Sequence, residues 1–244
     1  PATLNTGFCS TNARWIANLD SDDLYDPTFI EKAVTAGDRD QADWVRVKFN
    51  LFDSTKPAGQ QTKEFLEPFY GDINFPNAIP YQYTTVNLKD APDGPFGITD
   101  FPGLIARHPC IWAGLMRTEF IHRHNIKLPD TGGVAYQDIP FMADIAVHNP
   151  VITVVKECLI NYRFEPDQGN SMQAGGKKLI QMGVMSQLAF DKLKEGGLMP
   201  ALTDAIVAHA VVKNRAPYGR IAAEHKDEYT DVLAKLYLKS LQYS

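Results

Sequence analysis

Ile16-Ala17-Asn18-Leu19-Asp20-Ser21-Asp22-Asp23 is the stretch whose reading decides the fold. The apolar run Trp15, Ile16, Ala17 and Leu19 has strand length, and it stops abruptly in three carboxylates within four residues. In α/β folds ligands bind beyond the carboxyl ends of the strands, so this pattern sets acid groups where a ligand would lie. Carboxylates spaced Asp-x-Asp can hold Mg²⁺ or Mn²⁺ and leave positions for phosphate oxygens. A cation so held neutralises charge on a departing diphosphate. A second reading stays open beside this one: a polar turn in which Asp23 or Asp26 caps the next helix. A calcium loop is excluded, because Leu24 and Tyr25 occupy its fifth and sixth positions and the sixth needs Gly.

Outward from this point, Asp26-Pro27 opens a helix, with Asp as cap and Pro in the first turn. Phe29, Ile30, Ala33 and Val34 form its apolar stripe, and Gly37-Asp38 closes it. Residues 42–52 alternate as a strand. The stretch 53–103 is rich in Pro, Gly and aromatics without a period, and a loop of that length in a compact domain is usually functional. A short apolar element spans 111–116, and Thr118 is expected to cap a helix to His124. A helix is expected over 139–148, two strands over 151–155 and 158–162, and helices over 171–196, 199–213 and 218–241. Alternation followed by helices predicts an α/β sheet with a helical carboxy-terminal extension, divided as 1–170 and 171–244. The apolar stripe Val232, Leu233, Leu236 and Leu241 suits docking onto the sheet, with a membrane or partner surface as the other use.

Composition narrows the classes. The chain has 244 residues, 44% of them hydrophobic and 11% aromatic, enough for a large core and against disorder. A net charge of −5 without a Lys/Arg run argues against nucleic acid. Three scattered cysteines, Cys9, Cys110 and Cys158, make no disulfide framework and fit a reducing, cytoplasmic setting. No apolar stretch approaches the ~18 residues of a membrane span. The sequence holds neither a P-loop nor a Gly-x-Ser-x-Gly elbow. His122 and His124, two apart on a helix, face different ways and do not suggest zinc.

Three ordered blocks resemble one family. Leu4-Asn5-Thr6-Gly7 followed by Trp15 to Asp23, with Asp26-Pro27-Thr28-Phe29-Ile30 after it, resembles the Leu-Asn-x-Gly element and Asp-x-Asp-Asp strand end of the bacterial family-two GT-A glycosyltransferases. Ile111-Trp112-Ala113-Gly114 through Leu128-Pro129, then Tyr136-Gln137-Asp138-Ile139-Pro140, resembles that family's acceptor segment and its Glu-Asp or Gln-Asp motif. Asn161-Tyr162-Arg163 with Asn170-Ser171-Met172 resembles the Tyr-Arg…Ser tail of its surface-polysaccharide members.

The resemblance implies a GT-A-like fold. It also implies transfer of a sugar, with inversion, from a nucleotide sugar (UDP-linked in many members) to a saccharide or other hydroxyl acceptor. Asp22 and Asp20 are then the metal-binding pair for Mn²⁺ or Mg²⁺ and contact the donor diphosphate or sugar. Arg163 and Asn5 join the donor site, Asp138 is the general base, and Trp112 and Gln137 meet the acceptor. The physical logic is consistent: inverting displacement needs one carboxylate near the attacking hydroxyl and a Lewis acid on the leaving group. The planar guanidinium of Arg163 suits phosphate. Each residue also has a structural use: Asp138 as a helix cap, Trp112 as core, Arg163 in an ion pair with Asp144 or Glu165, Asn170 and Ser171 as caps. The family's first strands and an Asp-Gly-Ser turn are not found in the sequence, so the resemblance implies a domain truncated at its N-terminus. The other readings are a metal-dependent nucleotidyl- or phosphotransferase and an inactive binding fragment of a larger transferase. A cytoplasmic protein, with contact to the inner membrane face, is the expected setting.

Overall fold

A computed structural model describes residues 2–65, 87–106, 109–130, 136–164 and 177–243. The elements in order are α1 (Ala2–Ser10), β1 (Trp15–Ala17), β2 (Leu24–Tyr25), α2 (Phe29–Arg39), β3 (Trp44–Phe52), β4 (Thr62–Glu64), α3 (Gly103–Ala106), β5 (Gly114–Arg117), α4 (Thr118–Arg123), α5 (Asp138–Val147), β6 (Ile152–Arg163), α6 (Lys177–Glu195), α7 (Thr203–Arg220) and α8 (Lys226–Ser240). They build a mixed sheet in the order β1-β5-β3-β6-β2, with β4 hung on β3. Strands β3 and β6 are parallel; β5 is antiparallel to both β3 and β1, so β1, β3 and β6 run the same way.

The central strand β3 is buried on both faces over its first half, as expected where helices cover both sides. One apolar cluster packs α2 through Phe29 and Ala33 against Val45, Val47, Leu115 and Leu159. A second and larger one joins Trp44, Met116 and Ile152 to Phe141 and Ile145 of α5, to Phe190 of α6, and to Ile206 of α7 and Leu236 of α8. The three carboxy-terminal helices therefore share a core with the sheet, and the α8 stripe is used for docking through Leu236, while Leu238 and Leu241 stay exposed. The proposed boundary at 170 lies outside the described residues.

Several expectations are corrected. Residues 151–155 and 158–162 are one strand, β6, not two. The pairing with β3 slips twice: Val47 faces Val155 and Lys48 faces Cys158, leaving Lys156 and Glu157 extra, and Phe49 then faces Ile160, leaving Leu159 extra. The two charges turn outward, Lys156 to Asp93 and Glu157 to Lys32. Thr118 does not cap α4: its buried hydroxyl has no partner among the described residues, and its N–H donates to the Arg14 carbonyl. Asp26 is not the residue flanking α2; its carboxylate accepts from the Thr28 N–H and hydroxyl (2.8 and 2.6 Å), and Thr28 leads into the helix. Within 53–65 the chain forms a hairpin returning through β4.

Candidate functional site

The site grows from the loop that follows β1. Its strand ends at Ala17, level with Val45 and Thr153, and β2 resumes against Asn161, so residues 18–23 climb along the sheet toward the ends of β3 and β6. A tight turn, Asp23 N–H to Asp20 carbonyl at 3.1 Å, folds the three carboxylates together. Asp20 and Asp22 are exposed, while Asp23 is 5% exposed. The Asp23 Oδ1 accepts from the Arg163 main-chain N–H (2.8 Å), and its buried Oδ2 has no partner among the described residues. Burial above all, then the charges of Asp20 and Asp22 against the bond from Arg163, push the Asp23 carboxyl up to about 6. Burial and then Asp22 also raise Asp20, although that residue stands on the exposed rim of the loop.

Arg163, the last residue of β6, crosses this end of the sheet. Its Nε donates to the Asp22 carbonyl (2.9 Å) and its Nη1 to Ser54 Oγ (3.1 Å), and the guanidinium lies over the Phe52 ring at 5.4 Å. Beside it, Tyr162 stacks on Trp112 with centroids 4.9 Å apart and rings 3° from parallel. Burial raises the Tyr162 phenol to about 12, with smaller contributions from Cys110 and from Asp23, Asp22 and Asp20, so the ring stands within the field of the acidic loop. Tyr25 braces the loop from below through a hydrogen bond from its hydroxyl to the Asn18 carbonyl.

Thus the structure brings Asp20, Asp22 and Arg163 together. It places the other expected residues differently. Trp112 is core rather than an open acceptor platform: it is 6% exposed, with Phe49 edge-on at 4.7 Å and Tyr162 on its face. Asn5 is engaged within the fold: both ends of its amide bond the Leu128 main chain at 2.9 Å. Gln137 is 7% exposed and precedes α5, its carbonyl accepting from the Phe141 N–H. Asp138 begins α5, where the helix dipole favours negative charge, and its Oδ1 accepts from the Ile139 N–H (3.1 Å). A four-residue connection, 148–151, joins α5 to β6, so the helix runs back along the sheet for about 15 Å and carries Asp138 up from the level of Ile152. Asp144 pairs with Lys192, not with Arg163. Glu165, Asn170, Ser171 and Met172 lie outside the described residues.

The sequence reading gave Asp23 only a capping role and assigned none to Tyr162 or Ser54. The first two lie inside the quoted motifs and were within reach of it. Ser54 carries no signal in the sequence, since only the turn after β3 brings it to Arg163.

The mixed sheet flanked by helices is an α/β fold, GT-A-like in its layout. Solved structures of S. aureus TarS share it. TarS 1-349 in complex with UDP-GlcNAc matches at a TM-score of 0.61 over 95% of this chain and 59% of that one, with 12% identity. TarS 1-349 in complex with UDP matches at 0.57 over 95% and 58%, also at 12% identity. This chain therefore spans about three-fifths of the TarS chains it matches. No protein-family model matches the sequence, and no curated protein matches it.

Proposed function

We propose that this chain moves a sugar from a nucleotide sugar, UDP-linked, to a hydroxyl acceptor such as a saccharide, with inversion and with help from Mn²⁺ or Mg²⁺. The observation that carries the reading is the loop 20–23, tied by Arg163 to the carboxyl end of β6 in a fold shared with UDP-GlcNAc-bound S. aureus TarS. Three acids crowded at one turn, one of them with a buried oxygen that lacks a partner among the described residues, suit a cation nearby. Among the described residues no three His, Cys, Asp or Glu side chains gather closely enough to hold a metal ion by themselves. Asp20 and Asp22 would therefore hold the ion from one side and leave the other side to diphosphate oxygens. When bound, the ion supplies charge neutralisation for the leaving diphosphate.

The protein's own groups do the rest. Asp138 accepts the proton of the acceptor hydroxyl, from a helix start that keeps its carboxylate in a fixed orientation. Tyr162, backed by the buried Trp112, walls the site beside the acidic loop. Gln137 fixes the turn that presents Asp138. No helix among the described residues is long and apolar enough to cross a membrane. A cytoplasmic location, with acceptors reached at the inner membrane face, is the setting in which UDP-sugars are available.

Calorimetric titration with UDP, with Mn²⁺ and with EDTA, tests the donor site. Binding should strengthen with Mn²⁺, and Asp22→Ala should remove that increment; equal affinity under all conditions rejects the assignment. Asp138→Asn should leave UDP binding intact and lower transfer by at least 10²-fold, the lower range of general-base contributions. Transfer near the wild-type rate would remove Asp138 from the mechanism.

A further inference from the structure

We infer that Arg163 is a positioning residue that clamps the metal-binding loop to the ends of β3 and β6, with Ser54 as its anchor, rather than a direct partner of the diphosphate. The inference rests on the metal-assisted reading above and adds two residues to it. Arg163 contributes three bonds that converge on one loop and one hairpin: main-chain N–H to Asp23 Oδ1, Nε to the Asp22 carbonyl, and Nη1 to Ser54 Oγ. The bond to the Asp22 carbonyl matters most. It fixes the peptide of the very residue whose carboxylate would meet the cation, and so it sets the direction in which that carboxylate leaves the loop. The Phe52 ring beneath the guanidinium holds the plane of the fork. Lysine cannot reproduce this, because a point charge on a flexible stem cannot serve two acceptors in a fixed plane.

Ser54 is the less expected member. It sits one turn beyond β3, where the Asp53 carboxylate accepts from the Thr55 N–H (3.0 Å) and hydroxyl and so shapes the bend that presents the serine. Loop 20–23, strand β6 and the β3–β4 hairpin are thus tied through one side chain. Residues that orient ligands from behind typically cost 10–100-fold in metal affinity when removed.

The full chain is titrated with UDP in Mn²⁺ and in EDTA. Arg163→Ala should weaken Mn²⁺-dependent UDP binding about tenfold while the EDTA affinity stays at the wild-type value. Arg163→Lys and Ser54→Ala should each give a smaller loss in the same Mn²⁺-dependent part. Parallel losses with and without Mn²⁺ would make Arg163 a diphosphate ligand and overturn the clamp, as would unchanged Mn²⁺-dependent affinity. If the wild-type chain itself shows no Mn²⁺-dependent binding, the metal-assisted reading fails first and the clamp with it. Urea midpoints accompany each titration; should Arg163→Ala unfold, Arg163→Lys and Ser54→Ala carry the test.

Discussion

Replacing Asn5 by alanine separates a donor contact from a structural bracket. The Asn5 Nδ2 donates to the Leu128 carbonyl and its Oδ1 accepts from the Leu128 N–H, both at 2.9 Å, across 123 residues of sequence. Alanine removes both partners and leaves the two main-chain groups of a residue that is 3% exposed without them. A lost hydrogen bond of this kind costs about 1 kcal/mol, so the pair is worth about 2 kcal/mol in this half-buried place. For a chain of this size each kcal/mol moves the melting temperature by about 2–4 °C, which gives a fall of roughly 4–8 °C. Asn5→Asp, which keeps the acceptor and loses the donor, should fall about half as far. Thermal melts measure the shift, and UDP titration at a temperature where the variant is folded should give the wild-type affinity. An Asn5→Ala protein of unchanged stability whose UDP affinity drops tenfold would refute the bracket and restore a donor role.

Two further outcomes follow from the fold. Gly114 has φ +154, and a Cβ there would lie 1.9 Å from the Val45 carbonyl oxygen and 2.9 Å from its carbon, so Gly114→Ala must push β5 off β3. With strain and lost strand pairing combined, the loss should reach about 4 kcal/mol in urea unfolding; a loss under about 1 kcal/mol would mean the strands part freely. His148 stacks on His124 (4.2 Å between rings), near Asp144 and Lys192, and burial, then the neighbouring His124, lower its pKa. Its folded value lies below the unfolded one, so the unfolded chain takes up the proton first and stability falls as pH drops below about 6.5. His148→Phe should flatten the part of the urea midpoint's decline between pH 7 and 5.5 that this residue supplies, and an identical decline in both proteins would show that it supplies none.

Much of the scaffold was legible because its signals are local. The apolar run from Trp15, the strand expected over 42–52 and the stripe Phe29, Ile30, Ala33 and Val34 each act within a few residues; they became β1, β3 and α2, with β1 stopping at Ala17 and Leu19 and Ile30 left exposed. The break at Lys156-Glu157 misled because a charged pair in an apolar run reads equally as a turn or as a bulge. Only the partner strand decides, and here β3 continues past it. Asn5 and Trp112 misled for a related reason. A motif position says where a residue lies along the chain, whereas the bond from Asn5 to Leu128 and the stack of Trp112 on Tyr162 depend on contacts made across the fold. The turn at the carboxylates was legible because three acids within four residues at a strand end call for a polar turn.

Asp23 bears on the proposed cation reading. A turn that only had to cap a helix or bond the Arg163 N–H could use asparagine, which keeps the accepting oxygen and carries no charge to bury. The chain instead buries a carboxylate beside two others, with its Oδ2 lacking a partner among the described residues and its ionised form disfavoured enough to lift the carboxyl to about 6. Such a conflict between local choice and folding stability is expected where a site is built for a ligand rather than for the fold. The same logic explains why the clamp gathers here. Crowded carboxylates repel, and without a guanidinium fork and a main-chain donor to hold the loop, the turn would open outward and separate the acids it exists to bring together.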